Sequence, residues 1–244
     1  MWYNRLMNRD LVKILGFNVD TFSLDEAVEY AFNHHGQVVT INPEMISAAH
    51  SNSEFANIID NADLIVPDGI GVELGLKILG HNVHRIAGIE LGKELIIKFS
   101  KAGKKIAMVG AKPTIVDGAI ENLKNEIPKL NIVYSHDGYF KNDEEILNEI
   151  AKTQPDLVLV ALGSPKQEFF IHSLKDRLPN ATMIGLGGSF DVWAGVVERA
   201  PEIYQKLGLE WLYRTIKEPQ RFKRIFPTLP LFVLKVFKER LNLK

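Results

Sequence analysis

Short apolar runs alternate with longer amphipathic segments along most of this chain. Six runs are rich in β-branched residues, at positions 37–42, 63–66, 105–110, 131–135, 156–162 and 181–187. Several of them lack polar alternation, which is typical of strands covered on both faces. The first amphipathic segment begins with the spacing of a capping box, formed by Ser23 and Glu26. The alternation predicts an α/β fold with a Rossmann-like, doubly wound and mostly parallel sheet.

The pattern changes near residue 196, where strands give way to an aromatic and basic helical segment. We therefore predict an α/β domain at residues 1–196 and a basic amphipathic appendage at residues 197–244. Residues 211–244 contain nine Lys and Arg against two Glu, a net charge of +7, whereas residues 1–210 carry −8. Pro219 is expected to divide the appendage into two helices, the second piece running from Leu231.

The appendage has the composition of a membrane-binding segment. On a helical wheel Arg214, Lys217, Arg221 and Arg224 share one face, and aromatic residues occupy the opposite half. Such a segment can lie in the interface of an anionic membrane. An ordinary amphipathic helix packed on the domain remains open as an alternative. We expect no nucleic-acid partner, because the rest of the chain is acidic and carries no recognition motif.

Composition bounds the setting of the protein. The 244 residues are 46% hydrophobic and 24% charged, which is enough for one well-packed domain with an appendage. The absence of cysteine suits a reducing compartment, and the N-terminus lacks the apolar core of a signal peptide. The longest apolar stretch is far shorter than the roughly 20 residues of a spanning helix. We predict a cytoplasmic protein, attached peripherally to the inner face of the cell membrane.

Small and polar residues follow five of the six predicted strands. They are Thr40 and Asn42, then Asp68, then Gly110 and Lys112, then Gly163, Ser164 and Gln167, and finally Gly187. Ligands of open α/β sheets bind beyond the carboxyl ends of the strands, so these residues are candidates for one site. The needs of turns and helix caps can explain any one of them. Together they favour a pocket lined with hydrogen-bonding groups and glycines.

Common nucleotide and metal motifs do not fit this chain. Leu74 stands where a dinucleotide fingerprint needs its third glycine, and Glu94 replaces the hydroxyl residue of a phosphate loop. Asp191 breaks the nucleophile-elbow pattern around Ser189. The seven histidines form no metal pattern, and there is no Asp-x-Asp sequence. We expect no metal ion and no cofactor, so cations and backbone amides would neutralise a bound diphosphate.

Five longer motifs carry a more specific signal than any of these patterns. In chain order they are VVTINPEM, ADLIVPDGIGV, GSPKQE, GGSFDVWAGVVERAP and GLEWLYRTIKEPQRFKR. In this combination the chain resembles the TagA/WecG/CpsF type of bacterial glycosyltransferases over residues 15–224. The resemblance implies transfer of N-acetylmannosamine from its UDP sugar to the 4-hydroxyl of N-acetylglucosamine on undecaprenyl diphosphate. It also implies inversion to a β-1,4 linkage, no metal ion, and a place in wall teichoic acid linkage-unit synthesis.

The resemblance assigns roles to the residues at the strand ends. An inverting transfer needs one base to take the proton of the acceptor hydroxyl, and Asp68 matches the base proposed for the family. Thr40 and Asn42 match positions placed around the reacting sugars. Gln167 matches another pocket position, and its amide offers both a donor and an acceptor.

Binding of the UDP group is expected from backbone amides and cations. Amides near Gly110 and Gly187 are candidates, and Arg85 is a candidate cation that could equally be a solvated loop residue. Three arginines match basic positions of the family's appendage: Arg214, Arg221 and Arg224. We hypothesise that one or more of them stabilise charge on the diphosphate, the part that a metal ion plays elsewhere.

Two alternatives to this function stay open. Another member of the family could carry the same base with UDP-N-acetylmannosaminuronic acid or UDP-glucose as donor. A carboxylated sugar should then need a dedicated cation. The other alternative is a non-enzymatic sugar-nucleotide sensor at the membrane surface. The resemblance further suggests a homodimer whose interface competes with docking of the appendage.

Overall fold

A computed structural model describes residues 9–206, 209–217 and 222–242. Its core is a six-stranded parallel sheet in the order β4-β3-β8-β7-β5-β6. The strands are β3 (Gly36–Ile41), β4 (Leu64–Pro67), β5 (Ile106–Gly110), β6 (Ile132–His136), β7 (Leu157–Ala161) and β8 (Thr182–Gly185). The predicted α/β, Rossmann-like fold and its six strands are therefore confirmed.

Helices connect the strands and cover both faces of the sheet. In the first half of the chain they are α1 (Leu24–His34), α2 (Pro43–Ala49), α3 (Ser53–Asp60), α4 (Gly69–Leu79) and α5 (Gly88–Lys101). The second half contributes α6 (Pro113–Glu126), α7 (Asp143–Thr153), α8 (Lys166–Lys175), α9 (Ser189–Trp193), α10 (Glu202–Lys206), α11 (Glu210–Lys217) and α12 (Phe222–Arg240). The capping box predicted at Ser23 and Glu26 starts α1.

Alternate residues of the strands point to opposite faces, which explains why the runs are apolar throughout. On one face Val38 and Val66 join a core with helices α1, α5 and α6. On the other face Val39 and Ile65 pack against α2, α3 and α4. The same face continues under α7 and α8, where Val158 is fully buried. With both faces closed by helices, the open edge at the carboxyl ends of the strands is left for a site.

An antiparallel hairpin precedes the sheet and was not among the predicted elements. Its strands, β1 (Leu11–Ile14) and β2 (Phe17–Asp20), are four residues each. Leu15 and Gly16 form the turn, both with positive φ, at 48° and 99°. Ile14 and Phe17 are buried in the core beneath α4. Two short strands around a two-residue turn leave little periodicity for a sequence pattern to show.

The last helix differs from its prediction. Helix α12 runs from Phe222 through Pro227 and Pro230, whereas a separate piece was expected from Leu231. The break expected at Pro219 lies outside the described residues. The inner face of α12 is part of the core, with Phe232 and Val236 buried.

Helix α12 is fixed to the domain near its C-terminal end. The backbone N–H of Leu15 donates to Glu239 Oε2 at 2.9 Å, and Arg240 Nη1 donates to the carbonyl of Leu79 at 2.9 Å. This face of α12 is therefore packed on the domain, which is the alternative to membrane binding named in the sequence analysis. The division of the chain at residue 196 stays a prediction. Within the described residues, no helix has the length and apolarity required to cross a bilayer.

Candidate active site

A cavity of about 460 Å³ opens at the carboxyl ends of β3, β4, β7 and β8. This volume lies in the usual range for small-molecule sites. Eight predicted site residues line it: Thr40, Asn42, Asp68, Arg85, Gly163, Ser164, Gln167 and Gly187. They come from segments that are distant in the sequence and are brought together by the parallel sheet. The prediction that the strand ends form a single pocket holds for these residues.

Asp68 lies at the exit of β4, immediately before α4, and its backbone N–H donates to the carbonyl of Ile41 at 2.8 Å. Burial raises the pKa of Asp68 to about 6. Backbone amides of Gly69 and Gly88 and the charge of Arg85 oppose the rise in this pKa, and the charge of Glu210 adds to it. A carboxylate with a pKa close to neutrality suits a general base, since it is ionised at neutral pH and still binds a proton readily.

Thr40 and Asn42 stand on either side of the exit of β3. The Oδ1 atom of Asn42 accepts a hydrogen bond from the N–H of Met45 at 3.0 Å and so caps α2. Its amide nitrogen is thereby oriented as a donor. Thr40 faces Gly88 at the start of α5, where an added Cβ would lie 3.2 Å from Thr40 Oγ1. Glycine at this position lets α5 begin against the threonine hydroxyl.

Gln167 is held in one orientation by two hydrogen bonds. Its Oε1 atom accepts from the N–H of Gly187 at 3.0 Å, and its Nε2 atom donates to Glu168 Oε1 at 2.8 Å. An added Cβ on Gly185 would come within 2.5 Å of Gln167 Nε2, so a larger residue at this position would require the Gln167 side chain to move. Burial raises the pKa of Glu168. The hydrogen bond between Gln167 and Glu168 was not predicted. The sequence does not show that both side chains are buried, and this depends on how α8 packs in the fold.

Arg85 joins the cavity to the C-terminal region. Its Nη2 atom donates to the carbonyl of Gln205 in α10 at 2.6 Å, and its backbone N–H donates to Glu73 Oε2 at 3.1 Å. The hydrogen bond between Arg85 and Gln205 joins residues that are 120 positions apart in the sequence. The alternative of a solvated loop arginine does not describe this geometry, since Arg85 lines the cavity and bonds to the backbone.

Two lining residues from α11, Glu210 and Trp211, were not predicted as site residues. Glu210 approaches Arg199, with 3.9 Å between Oε2 and Nε. Arg199 in turn pairs with Glu90 of α5 at 2.5 Å. These ion pairs link α11 to α5 through Arg199. The motif containing both residues was recognised in the sequence, but only its arginines were assigned to the site.

The other predicted residues either are missing from the described lining of the cavity or fall outside the described residues. Gly110 and Lys112 are absent from its described lining, and Lys112 is exposed. Gly110 packs on β7 instead, where an added Cβ would lie 2.4 Å from the carbonyl oxygen of Ala161. Arg221 lies outside the described residues, as do the side chains of Arg214 and Arg224.

Within the described lining of the cavity, the electrostatics favour an anion where the N-termini of α4 and α5 face it. Among the described lining residues, Glu44, Asp68 and Glu210 are acidic and Arg85 is basic. Helices α4 and α5 begin with lining residues, Gly69 and Gly88, so their N–H groups and positive dipole ends face the cavity. In the part of the chain that is described, no three His, Asp or Glu side chains cluster as metal ligands would.

Comparison with known proteins identifies the family. The model of the Glycosyl transferase WecG/TagA/CpsF family matches residues 12–244. The N-acetylglucosaminyldiphosphoundecaprenol N-acetyl-beta-D-mannosaminyltransferase of Bacillus subtilis strain 168 is 38% identical over 229 residues, covering 91% of this chain and 89% of that protein. The protein of the same name from Bacillus spizizenii is 40% identical over 209 residues, covering 85% of this chain and 81% of that protein. With a match over nearly its whole length, the chain belongs to the WecG/TagA/CpsF family of glycosyl transferases.

Proposed function

We propose that this protein transfers N-acetylmannosamine from UDP-N-acetylmannosamine to the 4-hydroxyl of N-acetylglucosamine on diphosphoundecaprenol. The names of both relatives support this acceptor and this sugar. The observation that carries the proposal is the position of the Asp68 carboxylate, which lines a cavity large enough for small-molecule substrates, and burial raises its pKa to about 6. The product would be the disaccharide of the wall teichoic acid linkage unit.

The proposed step is a single displacement with inversion. The acceptor's 4-hydroxyl oxygen attacks the anomeric carbon of N-acetylmannosamine while its proton passes to Asp68. The bond between the anomeric carbon and the UDP oxygen breaks, and its electron pair leaves with UDP. Attack from the face opposite UDP converts an α-linked donor into a β-linked product. In this arrangement Thr40 and Asn42 orient the reacting sugars, and Gln167 holds the loop at Gly187.

Neutralisation of the leaving diphosphate is proposed to need no metal ion. Backbone amides at the start of α5 supply donors, and Arg85 supplies a positive charge. The described lining still carries more acidic than basic groups, which favours additional cations from the appendage. Arg214, Arg221 and Arg224 are proposed for that role.

We propose that the outer surface of α12 attaches the protein peripherally to the membrane. Leu231, Leu234 and Phe237 are 57%, 54% and 48% exposed along this helix, with Lys235 and Lys238 exposed among them. Apolar side chains beside lysines are suited to the headgroup region of an anionic bilayer. We further propose a homodimer in solution that exchanges with the membrane-bound form.

An assay with defined substrates tests the reaction. Purified protein is incubated with UDP-N-acetylmannosamine and a short-chain, diphosphate-linked N-acetylglucosamine in the presence of EDTA. We expect one UDP released per β-1,4-linked disaccharide, with unchanged rate when the chelator is omitted. An α-linked product, or activity that requires a divalent cation, contradicts the inverting, metal-independent mechanism.

Competition between donors tests the sugar. UDP-glucose and UDP-N-acetylmannosaminuronic acid are compared with UDP-N-acetylmannosamine at equal concentration. A preference for UDP-glucose or for the carboxylated sugar assigns the chain to another activity of its family. Binding of UDP sugars without any transfer identifies a sensor.

A further inference from the structure

A second, smaller groove adjoins the cavity and is not used by the chemistry proposed above. It has a volume of about 140 Å³ and shares Asn42, Glu44, Gly69, Ile70 and Trp211 with the cavity. Because these residues line both spaces, a ligand in the cavity can extend directly into the groove. The groove therefore continues the site and does not form a separate one.

The groove differs from the cavity in its chemistry. Its own walls are Pro43 from α2, Gly71 from α4, and Thr228 and Leu229 from α12. Apart from Asn42, Glu44 and Thr228, the lining residues that the structure describes are apolar residues and glycine. A cavity of about 150 Å³ lined by apolar side chains holds benzene, a molecule of six carbons. The groove is thus about the right size for one five-carbon isoprene unit.

The position of the groove fits the connection between a diphosphate and an apolar chain. The start of α4 stands at its boundary: Gly69 and Ile70 line both spaces, and Gly71 lines the groove alone. The helix N-terminus presents N–H groups to a phosphate on the cavity side. On the groove side, Gly71 lies close to Leu229, since an added Cβ would be 2.9 Å from Leu229 Cδ1.

Helix α12 forms one wall of the groove. Thr228 and Leu229 form the wall, and Leu231 and Leu234 are exposed farther along the same helix. Leu231 and Leu234 lie about 140–160° around the helix from Leu229, so they belong to its outer face and do not continue the groove. The lining that the groove shares with the cavity, at Gly69, Ile70 and Trp211, distinguishes a ligand site from an ordinary packing gap.

We propose that the groove binds the isoprene unit nearest to the diphosphate of the lipid acceptor. This inference rests on the proposed function, because it assigns the acceptor's chain to a subsite next to its sugar. Burial of this unit makes the chain itself a recognised part of the substrate. The protein then selects a prenyl diphosphate in addition to meeting it at the membrane surface.

Binding without turnover tests the groove directly. The probes are a diphosphate ester of a ten-carbon prenyl alcohol and methyl diphosphate, each titrated calorimetrically into the full chain in detergent-free buffer. We expect the prenyl ester to bind at least about tenfold more tightly, in line with burial of several CH₂ groups. Equal affinity for the two esters overturns the proposal.

Substitutions locate the binding. Thr228→Phe fills the groove, and Leu229→Gln replaces an apolar wall with an amide of similar length. Both are expected to reduce the affinity ratio between the prenyl and methyl esters to about twofold or less. Leu234→Gln is the matched control, since Leu234 is on the same helix and is 54% exposed. Circular dichroism and UDP binding establish that each variant is folded.

The outcomes separate this inference from the proposed function. If the affinity ratio falls as much with Leu234→Gln as with the groove variants, the prenyl group binds on the outer face of α12. That result overturns the proposal for the groove. If the affinity ratio falls only at high protein concentration and the protein self-associates on gel filtration, a second copy of the protein occupies the groove. That result also overturns the proposal. When N-acetylglucosamine is attached to the diphosphate of each ester, equal rates of transfer to the prenyl and methyl acceptors keep the function and reject the groove. Prenyl binding without transfer rejects the function and keeps the groove.

Discussion

Strands β8 and β5 end in the same kind of sequence, an apolar run followed by a glycine, but the two glycines have different surroundings. Gly187, just after β8, has a φ of 48°, lines the cavity, and would place an added Cβ near no other atom within 4 Å. Gly110, the last residue of β5, has a φ of 124° and would place a Cβ 2.4 Å from the carbonyl oxygen of Ala161. One glycine leaves room for a ligand, and the other allows close approach of two strands.

This comparison shows that a glycine at a strand end does not by itself indicate a binding site. Both residues were predicted to bind the donor, and only one lies at the cavity. The neighbour across the sheet decides which role applies. Substitutions on the cavity side of the sheet should therefore change catalytic rates. Substitutions on the β5 side should change the free energy of unfolding.

The largest expected effect is on the cavity side, at Asp68. Replacing Asp68 with Asn keeps the shape of the side chain and removes the base, so kcat should fall about 10²- to 10⁴-fold. UDP affinity, measured by calorimetry, should change little. A variant that retains more than a tenth of the wild-type kcat would show that another group takes the proton.

Gly110→Ala should have the largest effect on stability. Its Cβ would clash with rigid backbone at a φ that L-residues avoid, so we expect a loss of about 3 kcal/mol or more in the free energy of unfolding. Gly187→Ala is the matched control, with strain of about 1–2 kcal/mol from the left-handed conformation alone. Urea unfolding of both variants measures the difference. Equal losses would mean that the contact with Ala161 does not determine the requirement for glycine.

Asp68→Asn should also stabilise the folded protein at neutral pH. The pKa of Asp68 is about 6 in the folded protein, against about 3.9 in the unfolded chain. The folded state therefore binds more protons between these values, and its stability falls as the pH rises through this window. Removing the charge should raise the free energy of unfolding by about 1–2 kcal/mol at pH 7.5, and by less at pH 4.5. Chemical unfolding at both pH values tests this, and a gain independent of pH would contradict it.

The pH dependence of activity should report Asp68 and its neighbour from α11. The acid limb of kcat/KM should have its midpoint near the pKa of about 6. Since Glu210 raises the pKa of Asp68 while Arg85 lowers it, Glu210→Gln should move the limb downward by about 0.3–0.5 pH unit. An unshifted or upward-shifted limb would show that Glu210 does not act on the base.

The smallest effect is expected at Lys112, on the β5 side. Lys112 is exposed and lies apart from the described lining of the cavity, so Lys112→Ala should raise the KM for the UDP sugar less than about twofold. Initial rates at varied donor concentration provide the measurement. A rise of about tenfold would place the end of β5 in the donor site and support the prediction for Gly110 and Lys112.

Particular residues show how far sequence reasoning extends. The central strands were predictable because they are apolar on both faces, and Asp68 because it follows a buried strand in a recognisable motif. The course of α12 was not, since Pro227 and Pro230 normally indicate the end of a helix. The approach of Glu210 to Asp68 depends on how α11 folds back, which no local pattern encodes. The hydrogen bond between Arg85 and Gln205 is of the same kind.

The packing of α12 limits what can be learned by shortening the chain. Phe232 and Val236 cover Ile14 and Leu76, so a protein ending at residue 196 would expose that apolar surface to water. Such a fragment is expected to self-associate through the uncovered patch. It would also lack the cavity wall formed by Glu210 and Trp211. Single substitutions on the outer face of α12, in place of deletion, are therefore the way to separate attachment to a lipid surface from sugar transfer.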